Sequence, residues 1–135
     1  MVKMTAIYEG EKHCEITHGP SGSIIHTDAP KDNNGKGEAF SPTDLLGAAM
    51  GGCMLTVMSI VAERDGVDLK GSKVEVEKEM GTNPRRIVKL NVVLRLPKAI
   101  PADYRQKLEN TAMTCPVKQS VHPDMQVPVE FVYDI

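Results

Sequence analysis

Val2, Met4, Ala6 and Tyr8 occupy every second position at the start of the chain, and two further short β-like runs flank His18-Gly19-Pro20-Ser21-Gly22. A period of two belongs to a half-buried strand, so strands are expected at about 2 to 9, 12 to 18 and 22 to 27, the last two joined as a hairpin. The pattern then lapses. Residues 28 to 40, "DAPKDNNGKGEAF", carry turn-forming residues and no periodicity, which predicts a long loop and a candidate cover for a site.

From Ser41 the spacing becomes helical. Ser41 is placed as N-cap, Pro42 as first helical residue and Asp44 where a carboxylate completes a capping box. Leu46, Met50, Cys53, Val57 and Ile60 form a stripe, and Leu45, Ala48, Ala49, Leu55 and Val61 widen it, which predicts a helix buried on nearly all sides. Polar residues return at "AERDG", and Gly66 and Gly71 mark the exit. Gly51-Gly52 interrupts this helix just before Cys53. Each interior glycine costs roughly 1 kcal/mol against alanine, so the pair predicts close approach by another element.

Two strands are expected next. "SKVEVEKEM" alternates Val74 and Val76 with charges, "RRIVKLNVVLRL" places Leu90, Val92, Leu94 and Leu96 on one face, and "GTNP" joins them as an antiparallel hairpin. A helix from about Pro101 carries Tyr104, Leu108 and Ala112 on one stripe. A shorter helix begins with Cys115 at the N-cap and Pro116 after it, and "QVPVEFVYDI" ends the chain as a strand. Strands at both ends and in the middle, without regular βαβ alternation, make the fold class α+β.

Composition narrows the partners. A chain of 135 residues, 41% hydrophobic, suits one domain spanning residues 1–135. A net charge of −2 with 4% aromatics argues against nucleic acid. The N-terminus has no apolar leader core, and no apolar run of roughly 18 residues stands out, so a cytoplasmic protein with no membrane partner is expected. In that compartment Cys14, Cys53 and Cys115 are expected as thiols.

Cys53 and Cys115 stand on two different predicted helices. Two thiols on separate elements suit peroxide reduction, in which a thiolate becomes a sulfenic acid and a second thiol closes a disulfide. Cys115, at a helix N-terminus, would gain thiolate character from the dipole, whereas burial would oppose reactivity at Cys53. Buried cysteine also serves as a small hydrophobe, so spacing alone leaves both readings open. Cys14 is read as structural, His13, His18 and His26 as exposed or hydrogen-bonded, and His122, before Pro123 at a helix end, as a position where a cationic histidine is favourable. No paired Cys or His unit has metal-ligand spacing, and no phosphate loop or nucleophile elbow is present, so neither metal nor cofactor is expected.

The stretch "SPTDLLGAAMGGCMLTVMSIVAERDGVDLKG", the hairpin after it and "TCPVKQSVHPD" before a C-terminal strand resemble the osmotically induced protein C and organic hydroperoxide resistance (OsmC/Ohr) family. That resemblance implies an intertwined homodimer with sheets wrapped around long central helices. It implies Cys53 as peroxidatic thiol and Cys115 as resolving thiol, with Asp44 and Gly52 as auxiliary positions. It further implies an organic hydroperoxide as substrate and a dithiol reductant such as a lipoyl protein. Peroxidases of the family use an arginine from the N-terminal strand region, whereas residues 1 to 63 here contain none. Lys31, Lys36, His26 or a partner subunit are the alternative cations. The pattern is thus similar to an OsmC-like branch without that arginine, for which the alternative is a protein that binds or senses an apolar or electrophilic ligand at the thiol pocket.

Overall fold

The N-terminal alternation folds as a three-stranded antiparallel sheet, β1 (Met4–Gly10), β2 (His13–His18) and β3 (Ile24–Asp28), in the order β1-β2-β3. Gly10 pairs with His13, leaving Glu11-Lys12 as a two-residue turn in which both residues take positive φ, 53° and 60°. Such a left-handed turn matches the twist of the flanking strands. The computed structural model describes residues 1–135. Two compact units partition them, Met1–Leu46 and Gly47–Ile135, and the first sheet belongs to the former. The long loop after β3 contains one short 3-10 turn, Lys31–Asn33, and is tied back by Asp28 N–H donating to the Phe40 carbonyl at 3.1 Å.

Helix α1 (Pro42–Arg64) starts as its sequence requires. The Ser41 N–H donates to Asp44 Oδ2 at 2.9 Å, and the Asp44 N–H donates to Ser41 Oγ at 3.1 Å, the reciprocal pair of a capping box. Ser41 is buried, so little water can replace its hydroxyl. Ser41→Ala is expected to lower stability by about 1 kcal/mol, read from the urea midpoint at unchanged slope.

In the second unit β4 (Lys73–Gly81) and β5 (Arg86–Arg95) form the expected antiparallel hairpin, and β6 (Val129–Val132) adds to β5 in parallel, Val92 opposite Val129. Leu90, Val92, Leu94 and Leu96 are fully buried or nearly so, as their alternation predicts. A 3-10 turn (Ala102–Tyr104) leads into α2 (Arg105–Ala112), which buries Leu108 and Ala112, and α3 (Pro116–Ser120) follows.

The expectation of a helix buried nearly all round is corrected here. The buried face of α1 consists of Gly47, Met50, Gly51, Met54, Met58 and Ala62, whereas Ile60 is 53% exposed. Of the predicted stripe Leu46, Met50, Cys53, Val57 and Ile60, only Met50 is buried. The physical reason is close packing on β4: a Cβ on Gly51 would lie 2.9 Å from methyls of both Val74 and Val76. The helix therefore sets Gly47 and Gly51 against the sheet valines and leucine, and buries Met50, Met54 and Met58 beside them. A second correction concerns apolar runs: an 18-residue window of α1 averages a hydropathy of 2.0, long and apolar enough to cross a membrane by length and composition, with 33% of it buried inside the chain. Its outer face is the unburied part.

Candidate functional site

Three contacts on α1 position the thiols. At its C-terminal end, Tyr104 Oη donates to Asp65 Oδ2 at 2.6 Å and Lys107 Nζ donates to the same oxygen at 2.7 Å. From Tyr104 the chain runs through α2 toward α1, and Cys115 arrives near enough to Cys53 for the two thiols to influence each other. The lengths agree: at 1.5 Å per helical residue, the stretch from Asp65 back to Cys53 spans roughly the length that 104 to 115 covers in the opposite direction.

The anchor at Asp65 has a measurable consequence. Hydrogen bonds from Lys107 and then Tyr104 hold the Asp65 carboxyl below its ordinary range, and burial with the Asp65 bond pushes Tyr104 up to about 12. A carboxylate depressed in the folded state contributes stability above its unfolded pKa and loses it as pH falls through the folded value. Asp65→Asn is therefore expected to melt below the parent at pH 7, with the difference closing as the pH is taken below 4. Thermal melts across that range measure it.

Cys115 is fully buried and caps α3, its Sγ accepting from the Lys118 N–H at 3.5 Å. The expected gain in thiolate character is not what results. Burial first, then the contact with Cys53, raise the Cys115 pKa, and the amides of Lys118 and Val117 offset only part of that. Burial outweighs the dipole because α3 is a five-residue helix with few aligned peptides. Burial and the neighbouring Cys53 thus disfavour the thiolate of Cys115. Cys53 is partly exposed and is the sulfur of the pair that a solute meets first. Neither is in a disulfide.

The remaining expected residues fall elsewhere. Asp44 serves the α1 cap. Gly52 has nothing within 4 Å of where a Cβ would sit, so the close approach predicted for the glycine pair belongs to Gly51 and to β4. Cys14 is a half-buried thiol on β2. Among the candidate cations, Lys36 Nζ is held by Glu11 Oε2 and His26 stacks on His13 with ring centroids 5.1 Å apart. His18 is bonded to Ser21 Oγ, and His122 is exposed beside Asp124.

The OsmC-like protein sequence profile matches residues 35–130, which include both thiols and the capping box. The chain belongs to the OsmC-like family. The fold of this OsmC-like protein is also that of solved relatives. A candidate osmotic stress induced and detoxification response protein from Psychrobacter arcticus is 37% identical, with a TM-score of 0.90 over 99% of this chain and 96% of that one. An organic hydroperoxide resistance protein from Elizabethkingia anophelis gives a TM-score of 0.79 at 14% identity, over 99% of this chain and 96% of that one. The organic hydroperoxide resistance protein OhrB of Bacillus subtilis gives 0.69 at 19% identity over 97% of each chain. At those identities the likeness is one of fold. No curated protein sequence matches it. The expected α+β architecture of the family is thus the observed one, with its two sheets and long helix.

Proposed function

We propose that residues 1–135 work as one OsmC-like domain that reduces organic hydroperoxides in the cytoplasm, with Cys53 as peroxidatic and Cys115 as resolving thiol. The observation that carries this reading is the pairing of a partly exposed Cys53 with a buried Cys115 close enough to interact with it. The Cys53 thiolate attacks the terminal peroxide oxygen, the O–O bond breaks, and the alcohol leaves with a proton while Cys53 becomes a sulfenic acid. The Cys115 sulfur then attacks the Cys53 sulfur, the S–O bond breaks and water departs. A dithiol reductant, such as a lipoyl group, returns the electrons and protons by thiol–disulfide exchange. No metal or organic cofactor enters these steps.

A homodimer would cover what one chain leaves bare. Ile60 on the outer face of α1, and Met4, Ile7, Tyr8, Ile24 and Ile25 on the first sheet, are large exposed apolar side chains of the kind that mark interaction surfaces. The absence of arginine from residues 1 to 63 favours a second reading, a thiol protein that binds an apolar or electrophilic ligand without turnover. One experiment separates the two: consumption of cumene hydroperoxide against hydrogen peroxide, with mass spectrometry after one equivalent. The peroxidase reading expects preference for the organic peroxide and a Cys53–Cys115 disulfide peptide. Unoxidised thiols after exposure would overturn it in favour of binding.

A further inference from the structure

The first sheet assembles a cluster that the thiol chemistry does not use. Antiparallel pairing sets His13 opposite Asp28 and Glu15 opposite His26, so His13 and His26 are diagonal neighbours on one face of β2 and β3. A bulge between Tyr8 and Gly10 brings Glu9 of β1 against the same two rings. His13 Nε2 lies 3.2 Å from His26 Nδ1, and Glu9 Oε1 lies 3.6 Å from the former and 3.9 Å from the latter. All three ligand atoms fall within 4.8 Å of one another.

We propose that Glu9, His13 and His26 form a binding site for a divalent first-row metal ion of the zinc class. Metal–nitrogen bonds of about 2.0–2.1 Å at a tetrahedral angle separate two nitrogens by roughly 3.3 Å, close to the spacing here, and Glu9 needs only a small rotamer adjustment to complete the set. The two imidazoles and one carboxylate are the donor mixture that zinc accepts, with a position left for water. The site has a built outer layer. His13 Nδ1 is 2.6 Å from Asp28 Oδ1, so the imidazole offers Nε2 to a ligand, and Asp28 Oδ2 is itself held by the Glu38 N–H at 3.0 Å. This is the carboxylate–histidine arrangement that fixes tautomer and ring direction in metal sites. The Asp28 side chain is only 4% exposed. A cavity of about 270 Å3 beside it is bordered by Glu9, Glu11, Asp28 and Glu38 against the single ammonium of Lys36, which Glu11 already pairs, so its field favours a cation.

Zinc is titrated calorimetrically into the Cys53→Ser/Cys115→Ser protein, which lacks the two helix thiols as competitors, so that the titration reads this cluster. The expected result is one ion per chain, with binding lost in His26→Ala and in His13→Ala. Asp28→Asn, which keeps all three ligands, is expected to weaken binding by about 10–100-fold. His26 is exposed, so His26→Ala keeps the fold, as its circular dichroism will verify, and the test does not depend on His13 alone. Absence of saturable binding, or an isotherm indifferent to His26→Ala, would overturn the proposal.

Discussion

Cys53→Ser is expected to lose hydroperoxide consumption by about 10³-fold or more, the scale on which removal of a nucleophile acts. Cys115→Ser is expected to behave differently. It should consume one equivalent of cumene hydroperoxide per chain, then stop with one oxygen added to Cys53, because no second thiol is left to displace water from the sulfenic acid. The asymmetry follows from burial: Cys115 is fully buried and keeps its proton, whereas Cys53 is the sulfur that solutes reach. Single-turnover kinetics with a sulfenic-acid trap measure both outcomes. The reverse pattern, with Cys115→Ser inert and Cys53→Ser taking up one oxygen, would exchange the two roles. Full activity in both variants would remove the thiol pair from the reaction.

Gly51→Ala is expected to destabilise the chain by about 1–2 kcal/mol despite alanine's better helix propensity. The added Cβ would lie 2.9 Å from Val74 Cγ1 and from Val76 Cγ2. Both valines are β-branched and stiff at χ1, and the strand that carries them is pinned by pairing Val74 with Leu94 and Val76 with Val92. Overpacking against such neighbours costs typically 1–3 kcal/mol, of which about 1 kcal/mol is offset by replacing a helical glycine. Gly52→Ala makes the contrast. Nothing lies within 4 Å of its Cβ position, so the folded chain should gain up to about 1 kcal/mol. In the proposed homodimer the same alanine would sit on the outer face of α1, and a loss of dimer despite that gain in chain stability would place the second subunit against Gly52. Urea midpoints and sedimentation at several protein concentrations read the two effects separately.

The α1 cap, the β4–β5 hairpin with its Leu90-Val92-Leu94-Leu96 face, and Cys115 before Pro116 were all legible because each depends on residues a few positions apart. The Glu9-His13-His26 cluster was not. Metal-ligand spacing in sequence looks for paired units on one helix or one loop, and here the ligands come from three strands. The β2–β3 register could have found part of it, since the alignment of His13 with Asp28 puts 13 and 26 on one face, but Glu9 joins them only through the bulge between Tyr8 and Gly10, which plain alternation does not predict.

By itself the sequence determined the order and type of elements, the helix start at Ser41 and the residence of two thiols on separate helices, because caps, turns and periodicities are local physics. Tertiary structure alone decided which side of α1 faces the sheet. An apolar helix has no preferred face until its packing partner supplies one, and Val74 and Val76 leave room only for Gly51. It also decided the proton on Cys115, where the desolvation of a closed core prevails over a short helix's dipole. Neither burial nor cross-strand neighbours are properties of a linear chain; both arise only when distant segments meet.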